Sequence, residues 1–194
     1  MTEPAGLSLA LLALAGLVGM PQFSRRFRGT AGHPHAVLYV SAVIQLLLLG
    51  AAAALAVASG GSAGWSLAGP LAVAAATVGG GAPTTAILQL SFNASHPEHQ
   101  RMLTGPEGER IFNEEHESQP VLRGGAWIGV LERLAVASTL IMGWPEGLAI
   151  ILAVKALGRY SELGKSGAAE RFILGTFSSQ LWACACVGVA VLLT

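Results

Sequence analysis

From Ala36 to Ser59 the chain carries no charged side chain. About 20 apolar residues are enough for a helix to cross the hydrocarbon layer of a bilayer. Inside that layer every backbone N–H and C=O must be satisfied without water, which leaves the helix as the workable form for a single segment of this kind. The run therefore commits the chain to a transmembrane helix, and other apolar stretches repeat the signal. Charged residues make up 11% of the 194 and hydrophobic residues 53%, against roughly 25% charged residues in soluble domains. The expected fold is all-α, a polytopic transmembrane helical bundle forming one membrane domain over 1–194.

Six segments are long and apolar enough to count as spans: residues 5–23, 36–59, 66–93, 125–144, 145–163 and 168–194, with a cytoplasmic loop over 94–124. The first is not read as a signal peptide. Its leading stretch "MTEPAG" lacks Lys and Arg and carries Glu3, whereas a secretory signal begins with a basic region. Arg25, Arg26 and Arg28 follow that segment, Arg101, Arg110 and Arg123 lie in the long loop, and Arg159, Lys165 and Arg171 flank the turn between the fifth and sixth segments. Six crossings put all of these on one side; the alternative is five crossings with the first segment lying along the surface, which leaves that segment's role unexplained. Basic loops stay cytoplasmic, so both termini are expected to face outward. The aromatics agree, with Trp65 and Trp144 at the outer boundary and Phe23, Tyr39, Trp127, Tyr160 and Phe172 at the inner one. Two small-residue stripes, Gly50/Ala54/Ala58 and Ala68/Ala72/Ala76/Gly80, are spaced to let helix backbones approach closely.

Glu132 and Arg133 stand side by side inside the fourth segment. Charged residues at a helix centre are penalised by about 2.5–3.5 kcal/mol each on insertion scales, so both should face the bundle interior. Glu132 lies roughly 18 Å from Trp144 along its helix, while Lys155 and Arg159 lie roughly 15 and 21 Å from Pro145 on the next. Glu132 is thus expected to bridge to Lys155 or Arg159, with Glu162 continuing the same face. Arg133 points about 100° away, and Glu170, or failing that Glu162, is the carboxylate expected to meet it. With Arg171 these residues form a candidate polar network. Either it fixes how the last three spans pack, or it lines a cytoplasm-facing pocket for an anion, a lipid headgroup or a proton.

The third segment contains "VGGGAPTTAILQL". Glycine disfavours a helix interior by about 1 kcal/mol and proline by about 3, so a break is expected near 79–83, at Gly79, Gly80 and Gly81. Pro83 would then sit in the first turn of a new helix, with Thr84 and Thr85 beside it. A helix start inside the membrane offers N–H groups to an anion; a plain kink is the competing reading.

His96 and His99 in the loop are weak metal candidates, because their surroundings lack the His-Glu-x-x-His spacing and a solvated loop explains them. Cys184 and Cys186 are two apart on one helix and read as packing residues, and no metal or other cofactor is expected. The chain has no Asp, which excludes paired-Asp phospholipid synthases and aspartyl intramembrane proteases. No nucleotide-binding or Gly-x-Ser-x-Gly pattern occurs either, so no residue is assigned a catalytic role. Zero net charge gives no field for nucleic acid.

The stretch "RGGAWIGVLERLAVASTLIMGWPEGLAIILAVKALGRYSELGKSGAAERFILGTFSSQLWA" carries Gly-x-x-Glu-Arg, Ala-x-Lys-x-x-x-Arg and Ala-Glu-Arg-Phe-Ile-x-Gly-Thr. Over about residues 123–183 it resembles a family of uncharacterised bacterial polytopic integral membrane proteins. The resemblance implies a recurring charged three-helix unit and no transferable activity. The leading expectation is a bacterial inner-membrane protein, transporter-like or a membrane-complex component, whose Glu/Arg/Lys network binds an anionic solute or lipid headgroup. The alternatives are an enzyme acting on a lipid-linked substrate at the cytoplasmic face and a structural scaffold subunit. Expected partners are the lipid bilayer and either a second copy of the chain or other membrane subunits.

Overall fold

The structure, a computed structural model, describes residues 3–28, 35–61, 64–95, 125–161 and 167–194. Described residues form helices and turns without any strand: α1 (Glu3–Arg28), α2 (His35–Ser59), α3 (Trp65–Gly79), α4 (Gly81–Ser95), α5 (Gly125–Ile141), α6 (Gly147–Gly158) and α7 (Ala168–Leu193). Most of the loop expected over 94–124, including His96 and His99, lies outside the described residues, as do Glu162 and Lys165.

Four stretches are long and apolar enough to cross a membrane: Glu3–Met20, Ala36–Ser59, Ser66–Ser91 and Ala168–Leu193. The third runs through both α3 and α4. The hairpin of α5 and α6 is shorter. α5 has 17 residues, about 25 Å of helix, and α6 has 12, about 18 Å. Sequence reasoning expected the fifth span over 145–163, but regular helix stops at Gly158. There Arg159 caps the end with φ −111° and ψ 3°, its N–H shared between the carbonyls of Ala156 and Leu157.

The turn joining α5 to α6 explains why the hairpin is tight. Gly143 adopts φ +70°, a left-handed conformation that only glycine enters freely. Its N–H donates to Leu140 O at 3.1 Å, and Trp144 N–H donates back to Thr139 O at 2.9 Å. This is the Schellman closure of a helix, and Pro145 just beyond it bars continuation. Gly147 is buried, and a Cβ there would stand 2.7 Å from Thr139 Cγ2, so the two helices meet at their tip with no room for a side chain.

α3 and α7 form the centre. Ala68, Ala72 and Ala76 are fully buried together with Ala183, Cys186, Ala190 and Leu193. The α3 stripe thus serves close packing as its spacing foretells. α1 comes equally near: a Cβ at Gly16 would lie 3.0 Å from Ala75 Cα. The α2 stripe behaves differently. Gly50, Ala54 and Ala58 all lie on the exposed face, and nothing comes within 4 Å of a Cβ at Gly50. Leu49, Ala52 and Ala56 face the core in their place, because the inward face of α2 is set by Gln45 and the residues a helical turn apart from it. Cys186 is buried in the core and Cys184 half-buried, both free thiols.

Candidate functional site

The expected break occurs at one residue. α3 ends at Gly79, Gly80 is a turn with φ −67° and ψ −5°, and α4 begins at Gly81. Pro83 falls in the first turn of α4, as its missing N–H favours. That proline cannot donate to the carbonyl four residues earlier, which belongs to Gly79. Gln45 of α2 supplies the donor: its Nε2 lies 3.0 Å from Gly79 O and 3.0 Å from Ala15 O of α1. Thr84 and Thr85 donate their hydroxyls to Gly80 O and Gly81 O, at 2.8 and 2.7 Å, so the first turn of α4 covers the carbonyls beside the break.

A helix that ends inside a bundle leaves its last carbonyls without backbone partners. Here side chains from neighbouring helices approach them. Arg133 of α5 donates from Nε and from a terminal guanidinium nitrogen to Thr77 O, at 3.1 and 2.9 Å. Its other terminal nitrogen lies 3.4 Å from Ser179 Oγ on α7. One residue before those last four carbonyls, Trp182 of α7 donates its ring N–H to Ala75 O at 3.2 Å. Arg133 is only 6% exposed, and its charge sits against the negative end of the α3 dipole, where a cation is favoured.

The glycines make this approach possible. A Cβ at Gly79 would lie 2.6 Å from Trp182 Cζ2, and one at Gly80 would lie 2.5 Å from Arg133 Cδ. On α1, a Cβ at Gly19 would lie 2.7 Å from Gln45 Nε2 and 2.8 Å from Gly79 Cα. At Gly81 nothing lies within 4 Å. The first two glycines of the triplet therefore admit neighbouring side chains to the backbone, and the third does not need to.

Glu132 and Arg133 part company at this point. Glu132 forms an ion pair with Lys155 of α6, the first of its two expected partners. The pair is partly exposed, Lys155 at 20% and Glu132 at 18%. Lys155 Nζ also stands 5.9 Å from the centre of the Phe172 ring on α7, within the range of a cation–π contact. One lysine thus meets a carboxylate of α5 and an aromatic ring of α7.

The expectation that Arg133 meets Glu170 is corrected. Glu170 lies near the start of α7, where its Oε1 accepts a hydrogen bond of 2.7 Å from Ser91 Oγ of α4. Arg133 reaches the same helix at Ser179, about 13 Å further along at 1.5 Å per residue. Arg159 and Arg171 are exposed near the same end of the bundle.

Thr77, Ser179, Gln45 and Trp182 are members of this cluster that sequence reasoning did not name. Gln45 could have been found as the one amide in an otherwise uncharged span, and Trp182 as a tryptophan well away from either boundary. A backbone carbonyl acceptor has no such signature. The structure also holds an apolar groove of about 360 Å³ at the α1–α2 seam, lined by Val18, Ala36, Val37, Val40, Ser41 and Ile44, separate from the polar cluster. Among the described residues no grouping of His, Cys and Glu could hold a metal ion.

The arrangement defines a class: an all-helical bundle with several apolar helices of membrane-crossing length and a mid-helix polar hub at an interrupted segment. Comparison with protein-family models, with curated proteins and with solved structures finds no match to the chain.

Proposed function

We propose that this is an integral membrane protein of the bacterial inner membrane that acts as a scaffold or complex subunit, its buried charges devoted to holding helices together. The observation that carries this reading is the placement of Arg133, which is buried with its guanidinium on Thr77 O and Ser179 Oγ. Glu132 is likewise engaged with Lys155. A carrier for an anionic solute, or an enzyme using Glu132 as acid or base, would need these groups turned toward a polar cavity. Kinship with the bacterial membrane family over 123–183 is part of the same proposal, as are partnership with other membrane subunits or a second copy.

Six crossings with both termini outward complete the reading. The tip of the α5–α6 hairpin carries exposed Glu146 next to half-exposed Trp144, a pair suited to the membrane–water boundary and not to the hydrocarbon. The short α6 then reaches the other face by letting Arg159 and Tyr160 extend toward water. The basic residues around both ends of the long loop support a cytoplasmic placement for that face.

The test is thiol accessibility in inside-out membrane vesicles, in a chain whose Cys184 and Cys186 are replaced by alanine. Ala82→Cys places the probe in the first turn of α4, at a fully buried position; Gly158→Cys places it at the end of α6. A small charged thiol reagent should modify position 158 quickly and leave position 82 unmodified. Rapid labelling at 82 in a folded protein would mean that water reaches the hub, and the scaffold reading would fall in favour of a solute pocket.

A further inference from the structure

Two buried polar atoms, one in the hub and one a helical turn from it on α7, have partners that the described residues do not supply. Gln45 is fully buried, and its Oε1 accepts no hydrogen bond; Thr176 of α7 is 2% exposed, and its Oγ1 makes none. The orientation of the Gln45 amide is fixed by its neighbours. Both acceptors around Nε2, Ala15 O and Gly79 O, are carbonyls, so turning the amide over would set oxygen against oxygen. Oε1 must therefore find a donor from elsewhere. Thr176 stands apart from the other threonines of the bundle. Thr77, Thr84 and Thr85 each return their hydroxyl to the carbonyl four residues earlier, which satisfies it locally. The Thr176 hydroxyl does not, and it lies one helical turn from Ser179, the residue that receives Arg133.

Buried polar groups in native proteins are almost always hydrogen-bonded, and where protein partners are lacking, ordered water supplies them. We propose that the bundle binds internal water at two points: one molecule donating to Gln45 Oε1 beside the break between α3 and α4, and one engaging Thr176 Oγ1 on α7, a helical turn from Ser179. At Gln45 the ligand must be small and must donate a hydrogen bond. Gln45 Oε1 requires a donor, whereas the carbonyls of the hub offer only acceptors. A free anion would leave Oε1 facing like charge. These waters are part of the fold, and they go beyond the scaffold reading without depending on it.

The test uses the full chain in lipid bilayers and magnetisation transfer from water measured by solid-state NMR. Transfer should appear at the Gln45 side-chain amide and at the backbone amide of Thr176. It should be absent at Ala72 and Ala190, which are fully buried on the same central helices. No transfer at Gln45 and Thr176 above the level of Ala72 would overturn the proposal. The variant Thr176→Val gives an independent reading. If the hydroxyl holds a water, the melting temperature falls; if the site is dry, removing an unsatisfied hydroxyl raises it, and the proposal fails. Transfer together with fast thiol labelling at position 82 would retain the water and overturn only the sealed scaffold.

Discussion

Replacing Arg133 by methionine removes a charge from the interior of the helical bundle, and the structure says that this should weaken the fold. Two opposing effects decide the sign. Exchanging a buried ion for a hydrophobe of similar volume is often neutral or stabilising. Arg133, however, serves acceptors that nothing else supplies. Its two bonds at 3.1 and 2.9 Å converge on one oxygen, Thr77 O, so together they are counted as one charge-assisted interaction, about 1.5–3 kcal/mol. The contact with Ser179 at 3.4 Å is long and adds little. Placing a cation at the α3 C-terminus contributes about 0.3–1 kcal/mol, and up to about 2 in partly buried geometry. The desolvation of arginine largely drops out, because separated helices inserted in the bilayer carry the same arginine with poorer partners.

The net expectation is a loss of about 3 kcal/mol for Arg133→Met. Arg133→Lys should lose less, since it keeps the charge but cannot present two donors to one carbonyl. The assay is reversible unfolding in mixed micelles by increasing SDS mole fraction, followed by circular dichroism. An Arg133→Met protein as stable as the parent, or more so, would refute the claim that this side chain caps α3. It would assign the hub to the ordinary class of replaceable buried ions.

Three further outcomes follow from the same geometry. Gly79→Ala and Gly80→Ala should each destabilise in the same unfolding assay because their Cβ atoms would meet Trp182 and Arg133 at 2.6 and 2.5 Å, whereas Gly81→Ala, with nothing within 4 Å, should gain up to about 1 kcal/mol from helix propensity. Gln45→Leu should lose about 1–3 kcal/mol by stranding Gly79 O and Ala15 O. Adding Pro83→Ala should recover part of that loss by restoring an N–H for Gly79 O, and strictly additive effects would count against the pairing. Glu132→Gln and Lys155→Met should each cost more singly than expected from the double variant, with a coupling of about 0.5–3 kcal/mol; zero coupling would deny the pair a role in joining α5 to α6.

The parts of this fold written in side chains were legible before the structure, and those written in backbone were less so. The glycine triplet and Pro83 placed the break, since both disfavour helix and do so in adjacent positions. Depth along two antiparallel helices was enough to pair Glu132 with Lys155. The same reasoning sent Arg133 to Glu170 because it looked for a carboxylate, whereas the acceptor is Thr77 O. That acceptor was still deducible in principle, because an interrupted helix buried in a bundle must leave carbonyls needing donors. The α2 stripe misled for a related reason: small residues every fourth position mark a face on which helices can approach, but not that this chain uses it. Gln45, whose fully buried amide must be satisfied within the bundle, sets the inward face instead.

The adjacency of Glu132 and Arg133 follows from the same logic. Neighbours on a helix point about 100° apart, so two consecutive residues of opposite charge address two different partners from one turn. Glu132 turns to α6 and holds Lys155, which in turn lies by Phe172 of α7. Arg133 turns to the centre and holds the end of α3 and Ser179 of α7. α6 is too short at 12 residues to rely on extensive apolar packing, and α3 is interrupted where packing alone leaves carbonyls bare. Each weak point receives the charge that suits it, an anion for the lysine and a cation for the helix end. Exchanging the two residues, Glu132→Arg with Arg133→Glu, preserves composition and local charge. It should nevertheless abolish folding, because a carboxylate would then face the negative end of α3 and a guanidinium would face Lys155. A swapped protein that folds normally would show that only the presence of the pair matters, and not the direction in which each charge points.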